Sequence, residues 1–258
     1  MRSARRELRR ATRVAAFGTA TAVMLPAFLA RAAVARREGL DGVRDRWVGA
    51  WGRTLLHAFG VSVLVQGSVR AARAEPRGRL VVANHRSTAD ILALLATFGG
   101  AMVSRADVAG WPLIGPAARA VGTVFVDRSS AFSGATAVRA IRTRLLRGGT
   151  VIVFPEGGTS SGDEVRPFRA GAFVAALRAG AEIVPVGLAY GAGSEAAFVD
   201  ESFPAHLARM AAATPSKVAM CIGTSISSAG VLRAEDLRDR AHDAVVDLVA
   251  EARGLVDA

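Results

Sequence analysis

From residue 61 onward, short apolar runs alternate with amphipathic stretches. Residues 61–66, 79–83, 101–104, 122–126, 150–154, 183–188 and 218–222 read as strands. Between them, residues 91–98, 111–120, 135–147 and 170–179 read as helices. Pro112 suits the first turn of the helix over 111–120. Gly148-Gly149 and Gly180 stop the last two. Residues 235–252 close the chain as an amphipathic helix. Val151-Ile152-Val153-Phe154 is continuously apolar, as a strand covered on both faces requires. The alternation predicts an α/β fold, a mostly parallel central sheet flanked by helices.

The first 60 residues have a different texture. Residues 14–30 form an apolar run bracketed by Arg13 and Arg31, at the lower edge of what spans a bilayer. An uncleaved membrane anchor is the expected reading; a secretory signal peptide competes with it. Val43, Trp47, Trp51, Leu55 and Phe59 then recur every four residues, a single apolar stripe on a helix. Trp with Arg44, Arg46 and Arg53 off the stripe suits an interfacial helix, and equally one that packs its Trp residues on a core. The expected organisation is membrane-anchoring helices over residues 1–60 and an α/β domain over 61–258.

Charge sharpens this division. The chain of 258 residues carries a formal +11. Residues 1–60 hold 12 arginines against four acids, so most of the excess lies beside the apolar run. That placement points to anionic lipid. Aromatics are too few for base stacking, so no nucleic-acid partner is expected. Cys221 stands alone, which excludes an intramolecular disulfide framework and a multi-cysteine zinc site. The four histidines have no metal-ligand spacing, and no metal is expected.

Three polar clusters each follow an apolar run: residues 84–90, 127–128 and 155–160. If the runs are parallel strands, all three leave the same sheet edge, where ligands of such sheets bind. His85 and Asp90 are five residues apart, about 140° on a continuous helix. They meet only if His85 lies in the strand-to-helix turn and Asp90 in the first helical turn, with Ser87 as N-cap. Asp90 would then orient the imidazole and leave its other nitrogen free to take a proton. Ser87-Thr88-Ala89-Asp90 also fits a simple capping box. Gly157-Gly158 after a strand end offers backbone N–H groups for phosphate or an oxyanion, or is an ordinary turn. Glu156 suits pairing with an arginine, and Arg128 offers a planar fork for phosphate.

Taken together, the clusters resemble the glycerolipid acyltransferase family that includes 1-acyl-glycerol-3-phosphate acyltransferase. Asn84, His85 and Asp90 match its N-H-x4-D motif. Gly122, Phe125, Val126 and Arg128 match its second motif, Phe154, Pro155, Glu156 and Gly157 its third, and Ile183, Val184 and Pro185 its fourth. The resemblance implies O-acyl transfer from acyl-coenzyme A or acyl-carrier protein to a lysolipid hydroxyl. The expected acceptor is 1-acyl-glycerol-3-phosphate, giving phosphatidate. His85 is implied as general base oriented by Asp90. Asn84, Phe125, Arg128, Glu156, Gly157, Gly158, Thr159 and Ser160 are implied in substrate binding. No cofactor beyond the acyl co-substrate is implied. The expected place is the bacterial cytoplasmic membrane, with the catalytic domain on its cytoplasmic face.

One departure stands out. The third motif usually carries Arg two residues after its Glu-Gly, where this chain has Thr159. Either Arg128, Arg166 or Arg169 compensates, or the acceptor lacks the usual phosphate, as lyso-ornithine lipid does.

Overall fold

The computed structural model describes residues 2–35, 39–68, 78–127, 129–198 and 200–257. The chain opens with two helices, α1 (Arg2–Ala33) and α2 (Leu40–Phe59). There follow β1 (Val61–Gln66), β2 (Arg79–Ala83), α3 (Thr88–Phe98), β3 (Ala101–Arg105), a 3-10 turn over Ala106–Gly110 and α4 (Ile114–Ala120). Next come β4 (Val124–Val126), α5 (Ala131–Leu146), β5 (Thr150–Val153), α6 (Gly171–Ala179) and β6 (Glu182–Tyr190). The last elements are α7 (Phe203–Ala212), β7 (Ser216–Ile222) and α8 (Ala234–Asp257).

Among the described residues, seven strands form one sheet in the order β1-β7-β6-β2-β5-β3-β4. All neighbours are parallel except β6 and β7. The predicted fold class is therefore the observed one, with a single antiparallel pairing. Alternate side chains of the central strands feed two cores. Val81, Ile152 and Val184 pack with α2, α3 and α7 on one face. Leu80, Val151 and Ile183 pack with α5, α6 and α8 on the other. This two-sided burial is why these strands read as unbroken apolar runs.

Helices α3 and α5 begin three and four residues earlier than expected, and two further helices differ from the sequence expectation. The helix predicted over 111–120 begins only at Ile114, because Leu113 adopts φ +64° and Pro112 sits in the preceding turn. Helix α7 was not anticipated. It is capped by Ser202, whose side chain accepts from the Ala205 N–H, and carries Pro at its first turn.

Helix α1 docks through polar contacts. Arg13 is buried and its Nη1 donates to the Ala213 carbonyl (2.8 Å), a cation at the C-terminus of α7. Trp51 Nε1 donates to Thr21 Oγ1 (3.1 Å), and Phe28 meets Trp47 edge-on (6.3 Å). The α2 stripe thus faces inward: Val43, Leu55 and Phe59 are buried. Gly52 permits this packing, since a Cβ there would stand 2.8 Å from the Leu92 carbonyl of α3. The outer side of α1 leaves Val14, Val23 and Leu29 exposed. Among the described residues, α1 is the one helix long and apolar enough to cross a membrane.

Candidate active site

Strands β2, β4 and β5 run parallel, so residues 84–90, Asp127 and residues 155–160 do leave the same sheet edge. The first cluster is anchored by Asn84. Its side chain donates to the Leu188 carbonyl (2.9 Å) and accepts from the Leu188 N–H (2.8 Å). Both ends of the amide thus tie the end of β2 to β6 rather than reaching toward a substrate.

After Asn84 the chain turns into α3. Ser87 is the N-cap and Asp90 the third helical residue, forming a complete capping box. Asp90 Oδ2 accepts from the backbone N–H of Arg86 (2.7 Å) and Ser87 (2.8 Å). The same oxygen lies 3.0 Å from His85 Nδ1. The capping and the catalytic readings are therefore one arrangement: the cap fixes the carboxylate that holds the imidazole. The other oxygen, Oδ1, accepts from the Tyr190 hydroxyl. Burial first, and then the Asp90 charge, push the Tyr190 hydroxyl well above its ordinary range, so it stays a neutral donor. With every other neighbour of Asp90 donating, His85 is assigned Nδ1–H, which leaves the Nε2 lone pair available.

The His85 ring lies flat on Phe154, with centroids 3.8 Å apart. Its backbone is clamped by the third cluster. Glu156 Oε1 accepts the His85 N–H (2.8 Å), and the Ser160 N–H donates to the His85 carbonyl (3.0 Å). Glu156 Oε2 accepts from the N–H (3.0 Å) and Nε (3.4 Å) of Arg166. Burial raises the Glu156 carboxyl above its usual range, against the pull of these donors.

A cavity of about 720 Å³ opens beside His85. Phe17, Met24 and Phe28 of α1, Trp47 and Trp51 of α2 and Leu92 of α3 are among its walls. Gly157, Gly158 and Thr159 also line it. The Gly157 N–H donates to the Phe154 carbonyl (3.1 Å), so the expectation of a ligand-ready N–H fails at that residue. Its φ of +82° lets the chain pass Arg169, whose Nε would lie 2.7 Å from a Cβ there. Thr159 donates its hydroxyl to the Phe198 carbonyl, closing the loop before α7 onto the motif. Of the second motif, Phe125 is half-buried in β4 opposite Ser104 and is not among the lining residues. Arg128 lies outside the described residues.

Sequence reasoning missed Tyr190 and the pairing of Glu156 with the backbone of His85. Tyr190 is the chain's single tyrosine, placed at the end of an apolar strand. That position was its only signal.

Known proteins share this architecture. The sequence profile described as Acyltransferase matches residues 63–189, a span that holds all four motifs. A 1-acyl-sn-glycerol-3-phosphate acyltransferase of Neisseria gonorrhoeae is 37% identical over 156 residues, 59% of this chain and 60% of that one. This chain thus spans about 60% of that relative's length. A lyso-ornithine lipid O-acyltransferase of Pseudomonas aeruginosa is 34% identical over 222 residues, covering 82% of this chain and 83% of that protein. The chain belongs to the acyltransferase family.

The fold of this chain has a solved counterpart. The crystal structure of the 1-acyl-sn-glycerophosphate acyltransferase PlsC from Thermotoga maritima superposes with a TM-score of 0.74 at 23% identity, over 98% of both chains. It therefore matches the N-terminal helices as well as the sheet. Within this site Glu156→Ala strands the N–H groups of His85 and Arg166 together. Each unsatisfied donor costs about 1–3 kcal/mol. The expected result is a loss of that order in urea unfolding, because the turn carrying His85 loosens. Unchanged unfolding would refute the clamp.

Proposed function

We propose that the protein transfers a fatty acyl chain from a thioester donor to the free hydroxyl of a lysolipid, with His85 as general base. The carrying observation is the 3.0 Å contact between His85 Nδ1 and buried Asp90, at the wall of a large apolar cavity. His85 Nε2 takes the hydroxyl proton as the acceptor oxygen attacks the thioester carbonyl. The C–S bond breaks, and the proton passes from His85 to the departing sulfur. No protein nucleophile is needed for this route. The cavity has the volume and apolar walls of a lipid-chain site. Acyl-coenzyme A or acyl-carrier protein supplies the thioester. Exposed Val14, Val23 and Leu29, with the N-terminal arginines, suit a membrane surface carrying anionic lipid. We place the enzyme at the cytoplasmic face of a bacterial membrane.

The first acceptor reading is 1-acyl-glycerol-3-phosphate, after the motifs and the Neisseria relative. A second, lyso-ornithine lipid, is favoured by a specific observation. Where the motif usually has arginine, Thr159 binds a carbonyl. Of the nearby guanidinium groups, Arg166 is engaged by Glu156 and both Arg86 and Arg253 by Asp163, which leaves exposed Arg169 beside Gly157. A phosphate dianion would find fewer charge-assisted bonds there. The Pseudomonas relative, similar along most of both chains, carries that acceptor in its name. The test is a direct comparison of both acceptors with purified full-length protein and a radiolabelled acyl thioester. Faster acylation of lyso-ornithine lipid is expected from the second reading, and faster acylation of 1-acyl-glycerol-3-phosphate from the first. No acylation of any lysolipid would overturn the proposal.

A further inference from the structure

A second histidine relay opens on the same cavity. His206 of α7 is fully buried and stacks on Phe198, with centroids 4.4 Å apart. Its Nδ1 lies 2.9 Å from Glu201 Oε1, and its Nε2 lies 2.9 Å from Thr88 Oγ1. The tautomer follows from counting hydrogens. Arg209 Nη2 also approaches Nδ1, at 3.1 Å. Its two hydrogens already go to Glu201 Oε1 and the Ala197 carbonyl. So Nδ1 carries the hydrogen and donates to Glu201, and Nε2 accepts from the Thr88 hydroxyl. Met210 Sδ lies 3.4 Å from that hydroxyl, but sulfur is the weaker acceptor and the hydroxyl has one hydrogen.

Helix capping does not account for this network. Ser87 and Asp90 complete the capping box without Thr88. Thr88 and Glu201 both line the cavity that His85 lines. The protonation states suit the roles. Burial keeps His206 below the usual imidazole range, and the Arg209 contact holds Glu201 below the usual carboxylate range. At neutral pH the relay is a neutral base oriented by an ionised carboxylate.

We propose that Thr88, His206 and Glu201 form a second hydroxyl–imidazole–carboxylate triad that hydrolyses acyl thioesters in the cavity shared with His85. Thr88 Oγ attacks the thioester carbonyl while His206 Nε2 takes the hydroxyl proton. The C–S bond breaks, and the thiol leaves with that proton. Water then attacks the Thr88 ester. His206 accepts the water's proton and returns it to Thr88 Oγ, releasing the fatty acid. The proposal rests on the acyl-transfer reading only in taking a thioester as the cavity's ligand.

The test uses the full-length protein with palmitoyl-coenzyme A as probe and no acceptor lipid. Free thiol and free palmitate are measured, with lysolipid acylation run in parallel. Wild type and His85→Ala are expected to hydrolyse the thioester. Thr88→Val, nearly the same shape without the hydroxyl, is expected to lose about 100-fold or more. Thr88→Ser, which keeps the hydroxyl, is expected to retain hydrolysis and so exclude a folding defect. Absence of hydrolysis in wild type, or unchanged hydrolysis in Thr88→Val, overturns the triad. If wild type acylates lysolipid without hydrolysis, the triad alone fails. If it hydrolyses but acylates no lysolipid, the transfer reading alone fails.

Discussion

An Asp90→Asn protein is expected to fold and yet lose acyl transfer by about 10²–10⁴-fold. The residue is fully buried and receives donors on both oxygens. Asparagine keeps one oxygen, which can continue to accept the Arg86 and Ser87 N–H groups that start α3. Its NH₂ then faces Tyr190, because the oxygen that accepts those N–H groups is also the one beside His85 Nδ1. Tyr190 tolerates this, because its oxygen can accept as well as donate. His85 keeps an oxygen partner but loses the negative charge that stabilises the imidazolium formed when Nε2 takes the proton. The helix cap survives and the base is weakened. Steady-state kinetics with a melting curve separate the two: kcat/KM falls steeply while the melting temperature moves little. Asp90→Ala makes the contrast, since it strands the donors of Arg86, Ser87 and Tyr190 together and is expected to impair folding itself.

The largest stability effect is expected from Gly187→Ala. This glycine sits in the middle of β6, where α8 crosses the sheet. A Cβ there would stand 2.3 Å from the Leu248 carbonyl carbon and 2.4 Å from the Val249 nitrogen. Both are backbone atoms inside a helix, so no side-chain rotation relieves the clash. Overpacking of this kind costs about 3 kcal/mol. In a chain of this size that lowers the melting temperature by about 6–12 °C. Gly254→Ala, on α8 but with open space around its Cβ, is the control. It is expected to raise stability by about 0.5–1 kcal/mol through helix propensity alone. Equal melting temperatures for the two variants would refute the close helix-on-sheet contact.

The parts of this structure that sequence makes legible are those governed by local pattern. The continuous apolar runs at residues 150–154 and 183–188 announce strands covered on both faces, and β5 and β6 flank the central β2 of that sheet. The five-residue spacing of His85 and Asp90 demands a turn between them, and the cap at Ser87 supplies it. Local signals also mislead. Pro112 reads as a helix start, but Leu113 takes a left-handed conformation and delays α4. Helix α7 is short and follows a Gly- and Ser-containing stretch, so its periodicity has little length in which to show. The rest of the site depends on contacts between distant segments. Tyr190 reaches Asp90 across 100 residues, and His206 reaches Thr88 across 118. No spacing rule encodes such pairs; the sheet order that places β6 beside β2 does. The α2 stripe was visible, but its inward direction follows only from the docking of α1 and α3 against it.

The most direct test of the central claim is acyl transfer by His85→Ala, measured with full-length protein, a radiolabelled acyl thioester and a lysolipid. The side chain is largely buried at the cavity wall, and Asp90 keeps three other donors without it. The fold is therefore expected to persist while transfer falls by about 10²–10⁴-fold. A His85→Ala protein that melts as wild type and transfers at the wild-type rate would contradict a base at His85.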